Sequence, residues 1–272
     1  MNNFVYYAPT KVLFGKDTEN EAGALVREAG GKNVLVHYGG GSAVKSGLLD
    51  RVCRSLDAAG LSHVKLGGVV PNPRLSKVYE GIALCKEKRL DFILAVGGGS
   101  VIDSAKAIGY GLAADGDVWD FYAKTRVPAA SAPVGCVLTI AATGSEMSDS
   151  SVITRENGAL KRGCNNAVSR PKFALMNPAL TLTLPWYQTA SGAVDILMHT
   201  LERWFDNMRT ATELTDAIAV SVIKTVMRNV LVLKEDNGNY NAAAELMWAG
   251  SLSHNGLCGC GGSGGTPRGA WA

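Results

Sequence analysis

The stretch Asp91–Ala113 reads DFILAVGGGSVIDSAKAIGYGLA. Phe92–Val96 is a continuous apolar run of the length of one buried strand. Gly97-Gly98-Gly99-Ser100 then turns the chain, and VIDSAKAI continues with helical spacing. Strand, glycine turn and helix in that order predict a parallel sheet covered by helices. Glycines let the main chain approach a diphosphate closely, and a helix N-terminus offers unpaired N–H groups and a favourable dipole. Ser100 can cap the helix or bond a phosphate oxygen. The motif is not GxGxxG, so an ordinary capped turn stays open on these residues alone.

Working outward, the same pattern recurs. KNVLVHY (Lys32–Tyr38) is a β-rich run ending in Gly39-Gly40-Gly41-Ser42. Leu48, Leu49, Val52, Leu56 and Ala59 then fall at helical spacing, with Gly60 as a stop signal. SHVKLGG supplies a further strand, and PNPRLSKVYEGIALCKEKRL opens on a proline turn and continues as an amphipathic helix. The fold expected is α/β: a Rossmann-like, doubly wound nucleotide-binding domain. After Pro128 short β-like runs rich in Ser and Thr follow, with Glu156-Asn157-Gly158 as a hairpin turn. From Pro185 the pattern is helical only. ATELTDAIAVSVIKTVMRNVLVLKE reads as one long helix or a helix pair, and NYNAAAELMWAGSLSHNGL as another. The expected boundary lies near Leu184, giving an α/β domain over 1–184 and an incomplete all-α domain over 185–272. A glycine-rich tail without helical period begins at about residue 259.

Composition narrows the classes. The chain has 272 residues, 47% hydrophobic and 19% charged, with a net charge of +3, which suits a soluble globular protein. No Lys/Arg block forms a nucleic-acid stripe, the N-terminus lacks a signal-peptide pattern, and no apolar run is long enough for a membrane. Six scattered cysteines suggest reduced thiols and a cytoplasmic location. Cys258 and Cys260 read as small packed residues, since no second close pair follows.

Four further places carry candidate chemistry. Gly39, Gly40, Gly41 and Ser42 lie at the end of an early strand, where an acid would bond a free ribose 2′-hydroxyl. No acid is present; glycine N–H groups, Ser42 and nearby Lys45 suit a phosphate, and a plain turn fits equally well. In TIAATGSE, Thr139, Thr143 and Ser145 set hydroxyls around a glycine, a weak ribose or phosphate signal. Lys161 can neutralise a diphosphate, although on sequence alone a solvated lysine is the preferred reading. Asp195 and His199, four apart in AVDILMHTLERWF, share one helix face and can converge on a metal. On spacing alone a buried Asp–His hydrogen bond is preferred. His37 reads as a packed strand residue, His63 as exposed, and His254 as a polar helix residue rather than a third ligand.

The ordered set NFVYYAPTKVLFGK, YGGGS, PNPRLSKVYEG, ILAVGGGSVIDSAKAI, TIAATGSEMSDSSVIT, NPALTLTLPWYQTASGAVDILMHTLERWF and LSHNGLCGCG resembles the iron-containing, or group III, alcohol dehydrogenases. Within that family it is most similar to the butanol-dehydrogenase-like, NADPH-dependent branch. The resemblance implies that Gly97, Gly98, Gly99 and Ser100 hold the cofactor diphosphate and that Asp103 sits near the nicotinamide. It implies that Gly39, Gly40 and Ser42 surround the adenosine 2′-phosphate, and that Thr139, Thr143 and Lys161 contact ribose and phosphate. Asp195 and His199 would be two ligands of a divalent metal, Fe²⁺ or Zn²⁺. The implied reaction interconverts a small-molecule primary alcohol and an aldehyde with NADP(H), in a homodimer formed through the N-terminal segment. The family's two further metal-ligating histidines lie downstream of Ala272, and Gly259–Gly269 departs from the family pattern. A C-terminally truncated chain with an incomplete, weak metal site is the expectation. Two alternatives accompany it: an NADP(H)-binding remnant without catalysis, and a glycerol-dehydrogenase-like enzyme of the same superfamily.

Overall fold

Six strands build the central sheet of the computed structural model, which describes residues 1–205 and 211–262: β1 (Lys11–Phe14), β2 (Asn33–Tyr38), β3 (Ser62–Leu66), β4 (Phe92–Gly97), β5 (Val134–Leu138) and β8 (Phe173–Met176). All pair in parallel, in the order β1-β8-β5-β4-β2-β3. The two middle strands, FILAVG and VGCVL, are buried along their whole length. That is why they are apolar throughout and do not alternate.

Side chains of β2 and β4 alternate between two cores. Val34, Val36, Leu94 and Val96 face α1 (Ala22–Glu28) and α3 (Leu48–Ala58). Leu35, Ile93 and Ala95 face α4 (Leu75–Lys88) and α5 (Gly99–Ala113). From β2 the chain runs outward to edge strand β3, then returns to lay β4 on the other side of β2. The connections diverge between β2 and β4, and such a switch point leaves a crevice beyond the strands' carboxyl ends.

A hairpin of β6 (Ser150–Arg155) and β7 (Leu160–Asn165) packs beside α5 and turns through Glu156–Ala159, with Gly158 at φ +83°. The short helices α2 (Ser42–Lys45) and α6 (Trp119–Tyr122) complete this part. From Trp186 onward the described residues contain helices only: α7 (Trp186–Trp204), α8 (Glu213–Glu235), α9 (Tyr240–His254) and a closing 3₁₀ turn. Their own core includes Ala193, Ile196, Ala219, Val222, Val226 and Leu246. The run after Thr212 forms one helix, not a pair. The tail expected from about residue 259 falls largely outside the described residues. All six cysteines are free thiols. No described helix is long and apolar enough to cross a membrane.

Two histidines sit between strands. His63, expected to be exposed, is half-buried on β3 and lies 3.9 Å from Asp57. His37 is fully buried: its Nδ1–H donates to the Leu66 carbonyl at 2.9 Å and its Nε2 accepts from Ser104 Oγ at 2.9 Å. Burial pulls its pKa from 6.5 down to about 4. The unfolded chain therefore binds a proton that the folded chain refuses in this window, and stability falls as pH drops through it. Urea unfolding at pH 7 and pH 4.5 should show about 2 kcal/mol of acid destabilisation that His37→Gln lacks. An equal acid loss in both proteins would place the effect elsewhere.

Candidate active site

The carboxyl ends of three neighbouring strands are level. Tyr38 pairs with Val96, and Gly97 with Leu138. The Thr139 N–H reaches the Gly97 carbonyl at 3.2 Å. The Gly39–Ser42 turn, the Gly97–Ser100 turn and the 139–150 loop therefore emerge side by side at the switch point. A Cβ on Gly98 would run into Ile140, and one on Gly99 into the Thr143 hydroxyl. The close approach of turn and loop thus requires glycine, and it leaves the half-exposed main chain at the start of α5 free of covering side chains. Gly40, Ser42 and Lys45 are exposed, and the Lys45 side chain folds back over Gly41.

Asp103 lies one turn into α5. Ser145 Oγ donates to its Oδ1 at 2.6 Å and the Val152 N–H to its Oδ2 at 3.0 Å. Burial pushes its pKa up, while Lys106, these two hydrogen bonds and Lys161 pull it back. Lys161 itself is exposed on β7, yet it acts electrostatically on both Asp103 and Asp195.

Two polar residues that sequence reading passed over organise this loop. Lys106 is fully buried, and its ammonium donates to the Ser145, Ser148 and Ser150 carbonyls at 2.7, 2.9 and 2.8 Å. The Ser145 and Ser148 hydroxyls lie at 3.1 and 3.3 Å. Glu146, also buried, accepts from Ser251 Oγ on α9 at 2.5 Å. A lysine three residues after Asp103 between two alanines, and a glutamate inside a Ser-rich loop, were the available signals. Neither reveals burial without the tertiary fold.

Helices α7 and α9 clamp the loop from the other side. The His254 Nδ1–H donates to the Thr143 carbonyl at 2.6 Å. Asp195 and His199 are both half-buried on α7, with Oδ1 and Nε2 3.9 Å apart. That separation is too long for a hydrogen bond. Two ligands of one tetrahedral ion lie closer, roughly 3.4 Å apart for bonds of about 2.1 Å, so the pair must close slightly to share a metal. Burial raises the Asp195 pKa and lowers that of His199, each opposed by the other's charge. A neutral imidazole is the form that ligates a metal. The His199 ring centroid lies 4.3 Å from that of His254, and its buried Nδ1 has no hydrogen-bond partner among the described residues. The pair fits a divalent cation in donor chemistry. Among the described residues, however, no three His, Cys, Asp or Glu side chains gather on one point.

Fold and site together define a class: a doubly wound α/β unit with glycine turns at its switch point, followed by a helical unit whose first helix carries a carboxylate–imidazole pair. The family model described as "Iron-containing alcohol dehydrogenase" matches residues 9–178, and "Fe-containing alcohol dehydrogenase family, C-terminal" matches residues 189–260. The chain belongs to the iron-containing alcohol dehydrogenase family. It is 42% identical to the probable NADH-dependent butanol dehydrogenase 1 of Bacillus subtilis, covering 100% of this chain and 68% of that one. It is 36% identical to the NADPH-dependent aldehyde reductase YqhD of Escherichia coli, covering 96% of this chain and 67% of that one. The crystal structure of NADH-dependent butanol dehydrogenase A from Thermotoga maritima superposes with a TM-score of 0.92 at 40% identity, covering 95% of this chain and 64% of that one. The chain thus spans about two thirds of the length of these relatives.

Gly144 tests the clamp. It sits at φ +65°, and a Cβ there would fall 2.6 Å from His254 Cβ and 2.7 Å from the Gly250 carbonyl oxygen. Gly144→Ala should therefore lower unfolding free energy by about 2 kcal/mol or more, read from urea midpoints. An unchanged midpoint would mean that α9 does not bear on the loop.

Proposed function

We propose that this chain carries the dinucleotide site and two metal ligands of an NADP(H)-dependent alcohol dehydrogenase or aldehyde reductase, which passes a hydride between the nicotinamide and a primary alcohol or aldehyde. One observation carries the reading: the Gly39–Ser42 turn, the Gly97–Ser100 turn and the 139–150 loop leave the level carboxyl ends of three neighbouring strands, and that loop bonds Asp103 through Ser145. In this reading residues 1–184 bind the dinucleotide and the helical part from 185 carries the metal ligands. Gly97–Ser100 hold the diphosphate, Asp103 faces the nicotinamide end, and Thr139, Thr143 and Lys161 contact ribose and phosphate. Asp195 and His199 hold Fe²⁺ or Zn²⁺. When bound, the metal supplies Lewis-acid polarisation of the substrate oxygen. Six free thiols agree with a cytoplasmic location.

The relatives' names divide between NADH and NADPH. This chain's residues favour the 2′-phosphate. No acid follows β2 to bond a 2′-hydroxyl and repel a phosphate, and Lys45 folds over the Gly39–Ser42 turn. Fluorescence titration should give NADPH at least about tenfold tighter binding than NADH, a gap of about 1.4 kcal/mol that Lys45→Ala narrows. Equal affinities in the parent chain would reject the NADP(H) assignment.

The metal assignment is tested separately. Two ligands from one helix make a weak site, since catalytic zinc sites use three. After dialysis the 272-residue chain should retain metal well below one equivalent, and the weak Co²⁺ absorption on titration should vanish in His199→Ala. Tight stoichiometric retention would refute the two-ligand description. NADPH binding without aldehyde-dependent oxidation in added Fe²⁺ or Zn²⁺ would favour the binding-only alternative. A homodimer through the N-terminal segment fits its exposed Phe4, Val5, Tyr6 and Tyr7. Light scattering that reports a monomer would exclude it.

A further inference from the structure

Lys106 has no place in the chemistry outlined above, and it is the most completely buried cation of the molecule's described residues. Removing an ammonium from water is costly unless its donors are satisfied. Here three N–H groups share five oxygens, of which three are main-chain carbonyls within six residues, Ser145 to Ser150. A lysine packed only to fill space would not need to collect three carbonyls of one loop. Those carbonyls cannot pair with one another, and no strand ladder satisfies them at Ser145 and Ser148. The ammonium therefore dictates the loop's path.

The same loop touches Asp103 directly. Ser145 presents its carbonyl and hydroxyl to Lys106, and that hydroxyl also donates to Asp103 Oδ1 at 2.6 Å. Just beyond Ser150, Ser151 Oγ bonds the Asp103 carbonyl at 2.8 Å and the Val152 N–H bonds Oδ2 at 3.0 Å. At the other end, the Ser145 N–H donates to Thr143 Oγ1 at 3.2 Å, and Thr143 is the residue lying against Gly99. The Gly39–Ser42 turn shares none of these bonds. The network reaches one end of the crevice only.

We propose that Lys106 is a positioning residue for the nicotinamide half of the dinucleotide site: by bonding Ser145, Ser148 and Ser150 it fixes the loop that aims Asp103 and Thr143 at the bound cofactor. It touches no ligand itself and acts through Ser145. The inference rests on the dinucleotide reading above and specifies how that site is held in shape.

The test compares two ligands on the whole chain: NADPH, which spans the crevice, and 2′,5′-ADP, which occupies only the adenosine end. Lys106→Met should weaken NADPH by about tenfold or more, the scale of a lost charge-assisted hydrogen bond, while 2′,5′-ADP affinity stays within about twofold. A general loss of structure would weaken both ligands alike, so the ratio separates positioning from mere stability. Because Lys106→Met leaves buried carbonyls unpaired, which opposes folding, Ser145→Ala provides a second arm. It removes the hydroxyl that relays to Asp103 and leaves the ammonium its carbonyls, and it should show the same selective loss. Parallel losses for the two ligands, or unchanged NADPH affinity in folded Ser145→Ala, would overturn the proposal. A parent chain that binds 2′,5′-ADP and NADPH identically would also overturn it, by showing that the nicotinamide end is not engaged. A parent that binds neither would reject the dinucleotide reading and this inference with it.

Discussion

The Lys106 ammonium can be buried only because five oxygens surround it, and the chain supplies them by bending the segment from Ser145 to Ser150 around its tip. Burial draws its pKa down to about 8, with Asp103 the leading opposing influence, so the group stays charged at neutral pH. A charged amine in an apolar interior does not tolerate loss of its partners. The loop is therefore held against α5 as firmly as a strand would be, although it has no ladder over most of its length. That explains why a segment of six residues can contain three serines and still have four of its residues, Ser145 to Ser148, buried.

Asp103, the Gly97–Ser100 turn and the helical unit are all referred to that loop. Its inner edge bonds Asp103 and lies against the glycine turn at the start of α5. Its outer edge is the platform for the helical unit, through Glu146 to Ser251, Thr143 to His254, and the close approach of α9 at Gly144. Helix α7, which carries Asp195 and His199, rests on the same platform: a Cβ on Gly192 would run into the Ala141 carbonyl. A parallel sheet can hold a nucleotide across its switch point without a second unit. Joining the helical unit to that sheet requires the polar loop between.

Much of the architecture was legible beforehand because it is dictated locally. The apolar run Phe92–Val96, the glycine turn and the helical period after it leave few options, and the same is true of Lys32–Tyr38 and of the helix ending at Gly60. The hairpin at Glu156–Gly158 follows from turn chemistry. The helical character after Pro185 follows from periodicity. His63 was misjudged because exposure depends on the neighbouring α3 and β2, not on its own strand. Lys106 and Glu146 were missed for a related reason: charged residues are read as solvated unless a partner is visible, and their partners are 39 and 105 residues away.

The sequence by itself determined the order of elements, the family and the candidate residues, because backbone preferences, hydrophobic period and motif spacing are all short-range. It could not choose between a hydrogen-bonded Asp195–His199 pair and two separate donors. The helix geometry rules out a direct hydrogen bond between them, by leaving 3.9 Å between their atoms. Nor could it show that two glycine turns 58 residues apart stand side by side, which follows from the Tyr38–Val96 register. Register, burial and the sharing of one ammonium among three serines depend on contacts between distant segments, and only the packed molecule brings those together.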